Sequence, residues 1–303
     1  MKSAVACLTR NCEKYIQEWI FFYHLQGFDA IIVGLHRCED NTLKEIEKLP
    51  LKVLSKVIVD TETENKWNFQ RSWYPAIAKK YCKDVEWLAM FDDDEYFYDS
   101  QNRPINELLA TVNEAVGQIV VPWVTFGHCG RVESITKQET RLAAFTKRLE
   151  CHQQQARGNH AKVFVRVSKL LDVDDDAIGL PGSQWYGCHY ARVSGRSVDF
   201  SGNDLYEDID WTKTAHRDVY SRLGNVLSSA QCLAHYYTGA MEDWVARYKN
   251  WKSWQTEFSK QKINLRKRLV EHFLNHAGDI VDTRMLSYVP DLQNLLLEDK
   301  YDG

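Results

Sequence analysis

The stretch Glu86-Trp87-Leu88-Ala89-Met90-Phe91-Asp92-Asp93-Asp94-Glu95 runs an unbroken apolar segment straight into four consecutive acids. An apolar run of that length, bounded by charge, reads as a strand buried on both faces and hence as a central strand of a sheet. Four adjacent carboxylates repel one another, so they either raise each other's pKa or recruit a cation. Carboxylate oxygens are hard ligands suited to Mg²⁺ or Mn²⁺. On an extended segment Asp92 and Asp94, at i and i+2, point to one face and address one ligand. Glu95 then falls on the other face, holding the loop. The same letters fit a solvated acidic turn, but the position at the end of a buried strand favours a cation site.

Outward from this stretch, the first half of the chain alternates strand and helix patterns. Ser3–Leu8 reads as a strand, and Asn11 as the cap of a helix beginning near Cys12. Ile16, Trp19, Ile20 and Tyr23 fall on one face of that helix, and Gly27 closes it. Ala30–Val33 is a second strand, Asn41–Lys48 a short helix, Lys56–Val59 a third strand and Phe69–Tyr81 a helix that Pro75 kinks or opens. Gln118–Val121 is a further strand, ended by Pro122. Such alternation predicts an α/β fold with a mostly parallel, Rossmann-like sheet flanked by helices. Ligands of open sheets bind at the carboxyl ends of the strands. Thr9-Arg10-Asn11, His36–Asp40, Asp60–Thr63 and Asp92–Glu95 are therefore expected to converge on one cleft. Helical periodicity returns from Met241, with Arg266, Lys267 and Arg268 making a basic tail. This divides the 303 residues into an α/β domain over 1–240 and a helical C-terminal extension over 241–303 packed on it.

Composition narrows the function classes. A net charge of -4 gives no support for nucleic-acid binding. Eight cysteines without a CxxC pair read as reduced thiols of a cytoplasmic protein. The doublets His128-Cys129, Cys151-His152 and Cys188-His189 lack the spacing of a zinc site. No apolar run is long enough to span a membrane, and Met1–Leu8 is too short for a signal-peptide core. The second acidic run, Asp172–Asp176, lacks the glycine and terminal glutamate of a calcium loop and reads as a solvated loop. Ten tryptophans and 15 tyrosines suit sugar rings as well as a core.

The order of short motifs resembles GT-A glycosyltransferases of the family 2 and family 92 type over roughly residues 4–255. Thr9-Arg10-Asn11-Cys12-Glu13, then Glu18-Trp19, His24 and Gly27, is similar to the opening K-N-E, E-W, H and G of that family. Gln70, Trp87 and Asp92-Asp93-Asp94-Glu95-Tyr96 resemble its Q, W and D-x-D-E-F. Trp123 with Phe126-Gly127 and Gly130, then Lys162 and Arg166, match W-x-x-F-G-x-x-G and K-x-I-x-R. His235-Tyr236, Glu242, Trp244 and Lys249 resemble the closing H-Y, S-x-E-x-F and K. Departures lie at Leu35–Thr42, where Asp40 and Thr42 alone are kept, at Arg10 for the lysine, and at Asn250-Trp251 for a closing R-G.

The resemblance implies a metal-dependent transferase moving a hexosyl or pentosyl group from a UDP- or GDP-sugar to a glycan or lipid-linked saccharide. It implies Mn²⁺ or Mg²⁺ on Asp92, Asp94 and His235, with Arg10, Asp40, Gln70, Asp92, Asp93 and Lys162 around the nucleotide. An inverting reaction needs a carboxylate to deprotonate the acceptor; Glu207 and Asp208 are the candidates, with Glu242 or Asp243 as rival. Trp185, Tyr186 and His189 are acceptor-loop candidates, and the basic tail from Arg247 allows peripheral membrane contact. A nucleotidyltransferase and a non-catalytic carbohydrate-binding protein of the same fold are the alternatives.

Overall fold

The computed structural model describes residues 2–61, 69–150, 161–171, 189, 191, 193–205, 229–247, 270–271 and 273–298, the side chains of Phe69 and Arg71 apart. Eleven strands are found among them: β1 (Ser3–Thr9), β2 (Ala30–Leu35), β3 (Val57–Asp60), β4 (Trp87–Met90), β5 (Glu95–Asp99), β6 (Val116–Thr125), β7 (Lys147–Arg148), β8 (Ala161–Arg166), β9 (Arg196–Val198), β10 (Gln231–His235) and β11 (Ile280–Val281). The helices are α1 (Ile16–Leu25), α2 (Thr42–Glu47), α3 (Leu51–Leu54), α4 (Phe69–Tyr81), α5 (Ile105–Ala110), α6 (Arg141–Ala144) and α7 (Val289–Glu298). The main sheet runs β3-β2-β1-β4-β8-β6-β10-β5, with β9 on β6. Its first four strands are parallel, β8 is antiparallel to both neighbours, and β5 is antiparallel to β10. The expected α/β architecture, a mostly parallel sheet flanked by helices, is therefore what the chain forms.

Alternation along the strands builds two cores. Val5 and Cys7 of β1, Trp87 and Ala89 of β4 and Phe164 of β8 pack with Trp19, Ile20 and Tyr23 of α1. Ala4 and Ala6, Leu88 and Met90, and Val163 and Val165 face Trp73, Tyr74 and Ile77 of α4 on the other side. A strand buried on both faces shows no period, which is why β4 reads as a continuous apolar run. At Gly34 in β2 an added Cβ would lie 2.4 Å from the Trp73 ring. Close packing of β2 on α4 thus requires glycine at this position.

Several local expectations are corrected. Asn11 adopts φ 56 and is not the cap of α1, which starts at Ile16 with Tyr15 at its N-cap; the Asn11 Oδ1 accepts from the Glu39 N–H. Asparagine tolerates the left-handed region, so Asn11 serves the junction between two loops instead. β6 does not end at Pro122 but continues to Thr125. Pro122 makes the last pairing with β8 and Trp123 the first with β10. The missing N–H therefore falls where one ladder hands over to the next. Pro75 stands inside α4 and does not open it. The C-terminal part is not purely helical: β11 pairs with β7, and His128 and Cys129 donate backbone bonds to His276 and Ala277. Leu292 and Met285 then bury against the α1 side of the sheet.

Candidate functional site

Strand order reverses between β1, which leads to β2 and β3, and β4 beside it. The crevice outside the carboxyl ends of such a pair is where open sheets bind ligands. Thr9 ends β1, and its hydroxyl donates to an Asp93 carboxylate oxygen across that crevice. His36 N–H donates to the Thr9 carbonyl, bringing in the loop after β2. Asp60 behaves differently: its carboxylate accepts from Trp73, Lys80 and Tyr81, which ties it to α4. Glu62 and Thr63 lie outside the described residues.

Residues 92–95 form a turn, not an extended segment; Glu95 N–H donates to the Asp92 carbonyl at 3.1 Å. The alternation expected of Asp92 and Asp94 therefore does not apply. The Trp19 indole and the Tyr23 hydroxyl donate to the Asp92 and Glu95 carbonyls, fixing both ends of the turn from α1. Arg141 Nη1 donates to the Asp93 carbonyl at 2.8 Å. This turn also reverses the chain into β5, whose first residue Glu95 stands directly opposite His235 of β10. Tyr236 N–H donates to the Asp94 carbonyl, closing the junction. Cross-strand neighbours have adjacent Cβ atoms. Asp94, Glu95 and His235 consequently form a buried cluster, each offering one ligand atom within 4.8 Å of the others.

The charges around the cluster are divided unequally. Lys162 is fully buried, with Nζ 2.7 Å from Asp92 Oδ2 and 3.6 Å from Glu95 Oε2. Gln70 Nε2 donates to Asp92 Oδ1 at 2.9 Å. Asp94 meets Arg247 Nη2 through Oδ2 and lies 3.4 Å from His235 Nε2 through Oδ1. Burial pushes the Asp94 carboxyl up, but the Arg247 guanidinium and the adjacent His235 ring outweigh it and hold Asp94 well below the usual range. Burial drives Glu95 well above its ordinary value against the pull of Lys162. Burial and the Asp94 charge likewise raise Asp93. Glu95 Oε1 and His235 Nδ1 are buried with no hydrogen-bond partner among the described residues. A buried carboxyl oxygen left unpaired is costly, and a donor set of two carboxyl groups and an imidazole fits a divalent cation of the Mn²⁺ or Mg²⁺ type, which would take Glu95 in its ionised form.

The sequence-derived ligands Asp92, Asp94 and His235 are thus distributed over two groupings. Asp94 and His235 share the cluster with Glu95, while Asp92 faces Lys162 and Gln70. Arg10 lies 3.6 Å from Glu39 beside the loop after β1. The Asp40 carboxylate accepts from Glu13 N–H and from the N–H and hydroxyl of Thr42, and so fastens that loop to α2. Glu242 accepts from Ser134 N–H, and Asp243 from Tyr15, Ser134 and Ala240. His189 Nδ1 lies 2.9 Å from the Ala161 carbonyl, its ring beside Trp123. Both ring nitrogens of His128 meet backbone groups, at Phe273 and Gly130. Glu207, Asp208, Trp185, Tyr186, Lys249 and the run Asp172–Asp176 lie outside the described residues. Composition and spacing did not single out Arg141 or Arg247 as partners of the acids. A buried arginine has no sequence signature, and Arg247 was legible only as the start of a basic tail.

No protein-family model matches the chain, and no curated protein matches it. Among solved structures, similarity is found to a protein from Bacillus anthracis described as a glucose-1-phosphate thymidylyltransferase, crystallised in complex with a sucrose. The two share 10% identity over 46% of this chain and 62% of that chain, with a TM-score of 0.28. The match thus spans less than two thirds of that protein. Among the described residues no helix is long and apolar enough to cross a membrane.

Proposed function

We propose that the chain is a glycosyltransferase that takes a sugar from a nucleoside diphosphate sugar in the crevice between β1 and β4. The observation that carries this reading is the buried Asp94–Glu95–His235 cluster, with an unpartnered Glu95 oxygen, at the carboxyl end of a central strand. The motif order from Arg10 to His235 supports it independently. Asp94, Glu95 and His235 would hold the divalent cation. When bound, such a cation neutralises the diphosphate on which charge develops as the sugar leaves.

The chain's own residues complete the task. Lys162, buried and already oriented by Asp92, supplies a fixed positive charge beside the cluster that needs no reorganisation. Gln70 and Lys162 together hold the Asp92 carboxylate, which is 31% exposed, at the mouth of the site for the donor. Thr9 holds the Asp93 carboxylate and Arg141 its backbone carbonyl, which fixes the turn. Trp123, half-buried and 4.1 Å from the His235 ring, provides an aromatic wall for a sugar.

The test is a product assay. The purified protein is incubated with Mn²⁺ and UDP- or GDP-sugars, with and without candidate saccharides. Slow release of a nucleoside diphosphate is the expected result. In a parallel reaction with added pyrophosphate, release of sugar 1-phosphate together with a nucleoside triphosphate would instead indicate nucleotidyl transfer, and the absence of turnover and of nucleotide-dependent thermal stabilisation with every donor would overturn the reading.

A further inference from the structure

Among the described residues three cations surround the acidic turn, and they differ in freedom. Lys162 is fully buried between Asp92 and Glu95. Arg141 is 5% exposed, with its guanidinium on the Asp93 carbonyl and 3.8 Å over the Tyr15 ring. Arg247 is different: its side chain is 33% exposed while its partner Asp94 is 5% exposed. It lies in the helical turns that begin at Met241 and reaches down to Asp94 Oδ2, with Nη1 on the Tyr237 carbonyl at 2.7 Å. Asp94 is also the residue through which the cluster Asp94–Glu95–His235 would take a cation. One carboxylate is therefore claimed twice. A guanidinium and a divalent ion on the same carboxylate stand only a few ångströms apart, where their repulsion is strong in a buried setting. Two buried atoms, Glu95 Oε1 and His235 Nδ1, meanwhile remain without a partner among the described residues.

We infer that Arg247 is the resident counter-ion of Asp94 and that a divalent cation binds the cluster by displacing it. This rests on the reading of Asp94, Glu95 and His235 as a cation site. Displacement is feasible for Arg247 because it borders solvent, which rehydrates the guanidinium once it is released. It is not feasible for Lys162, whose side chain is fully buried. The cation affinity of the protein is then set by Arg247, a residue that is not itself a ligand. Losing a charge-assisted bond that the cation otherwise has to break corresponds to a change in affinity of about tenfold or more.

The experiment is a Mn²⁺ titration of the full chain without nucleotide, with free Mn²⁺ followed by electron paramagnetic resonance. Wild type is compared with Arg247→Gln and Arg247→Lys, each shown to be folded by circular dichroism. The glutamine variant is expected to bind Mn²⁺ about tenfold more tightly or better, and the lysine variant, which keeps the charge, to stay near wild type. Wild-type binding with an equal or weaker affinity in Arg247→Gln overturns the displacement alone. Absence of Mn²⁺ binding in both proteins overturns the displacement and the cation site together. A second readout needs no variant. In wild type labelled at arginine, the guanidinium resonance of Arg247 should lose its restricted rotation on addition of Mg²⁺; persistence of that restriction at saturating Mg²⁺ contradicts the inference.

Discussion

Glu18 gives the sharpest energetic prediction. Its carboxylate is buried beneath the site, and both oxygens lie 2.9 Å from the Arg141 backbone N–H. The Arg141 guanidinium is directed elsewhere, to the Asp93 carbonyl and the Tyr15 ring. Burial thus outweighs the nearby positive charge, and the Glu18 carboxyl is raised from 4.5 to about 7. The unfolded chain releases this proton near 4.5, and the folded protein holds it until about 7. Between those values the folded state carries the extra proton, so stability falls as pH rises through this window and changes no further above it. At about 1.4 kcal/mol per pH unit the full effect is about 3 kcal/mol, of which about 2.5 kcal/mol falls between about pH 5 and about pH 8. Glu18→Gln keeps the shape and one acceptor oxygen but does not titrate. Urea denaturation of both proteins across this range should show the variant gaining about 2.5 kcal/mol relative to wild type as pH rises. Glu95 and Asp93 are also raised, but they titrate in both proteins and cancel in the difference. A difference independent of pH, or one of opposite sign, would show that Glu18 is an ordinary carboxylate paired with Arg141.

Three further substitutions follow from the same geometry. Lys162→Met leaves the buried Glu95 and the part-buried Asp92 without their ammonium group. Urea denaturation at neutral pH should show a loss of about 3 kcal/mol, at the low end for a broken buried pair because water reaches Asp92; a loss below about 1 kcal/mol would contradict the pairing. Gly34→Ala places a Cβ 2.4 Å from Trp73, which is itself held by Asp60, so the ring has to shift. A cost of about 1–3 kcal/mol is expected in the same measurement. Thr42→Val removes the acceptor of the Cys12 N–H and a donor to Asp40. It should cost about 1–2 kcal/mol and speed amide exchange in the loop after β1; unchanged exchange would mean that this contact does not fasten the loop.

The parts of the fold written as local pattern were legible in the chain. The two-sided burial of β4 showed as an unbroken apolar run, and α4 was bounded correctly at Phe69–Tyr81 because its buried residues keep helical spacing. Elements defined by distant pairing were not legible. β5 begins inside the acidic run at Glu95, and its strand character comes from β10, which joins it about 140 positions later in the chain. The strand continues through Pro122 because pairing with β10 on its other edge begins where pairing with β8 ends. The same physics divides the site. Asp92 and Asp94 stood out through charge, but Glu95 joins the cluster only because the turn places it opposite His235. That adjacency is a property of sheet register, which no spacing rule along the chain expresses. Arg141 and Arg247 reach the acids from α6 and from the segment after β10, so their roles too depend on tertiary contact.

In the proposed function a divalent cation sits between Asp94, Glu95 and His235 and there meets a nucleoside diphosphate. Anomalous diffraction from crystals grown with Mn²⁺ and UDP or GDP tests it most directly. The expected result is a manganese peak bonded to Asp94, Glu95 and His235, with diphosphate density against it on the Lys162 side. A peak on Asp92 and Asp93 away from His235, or nucleotide bound with Lys162 and Arg247 alone and no metal peak, would contradict it.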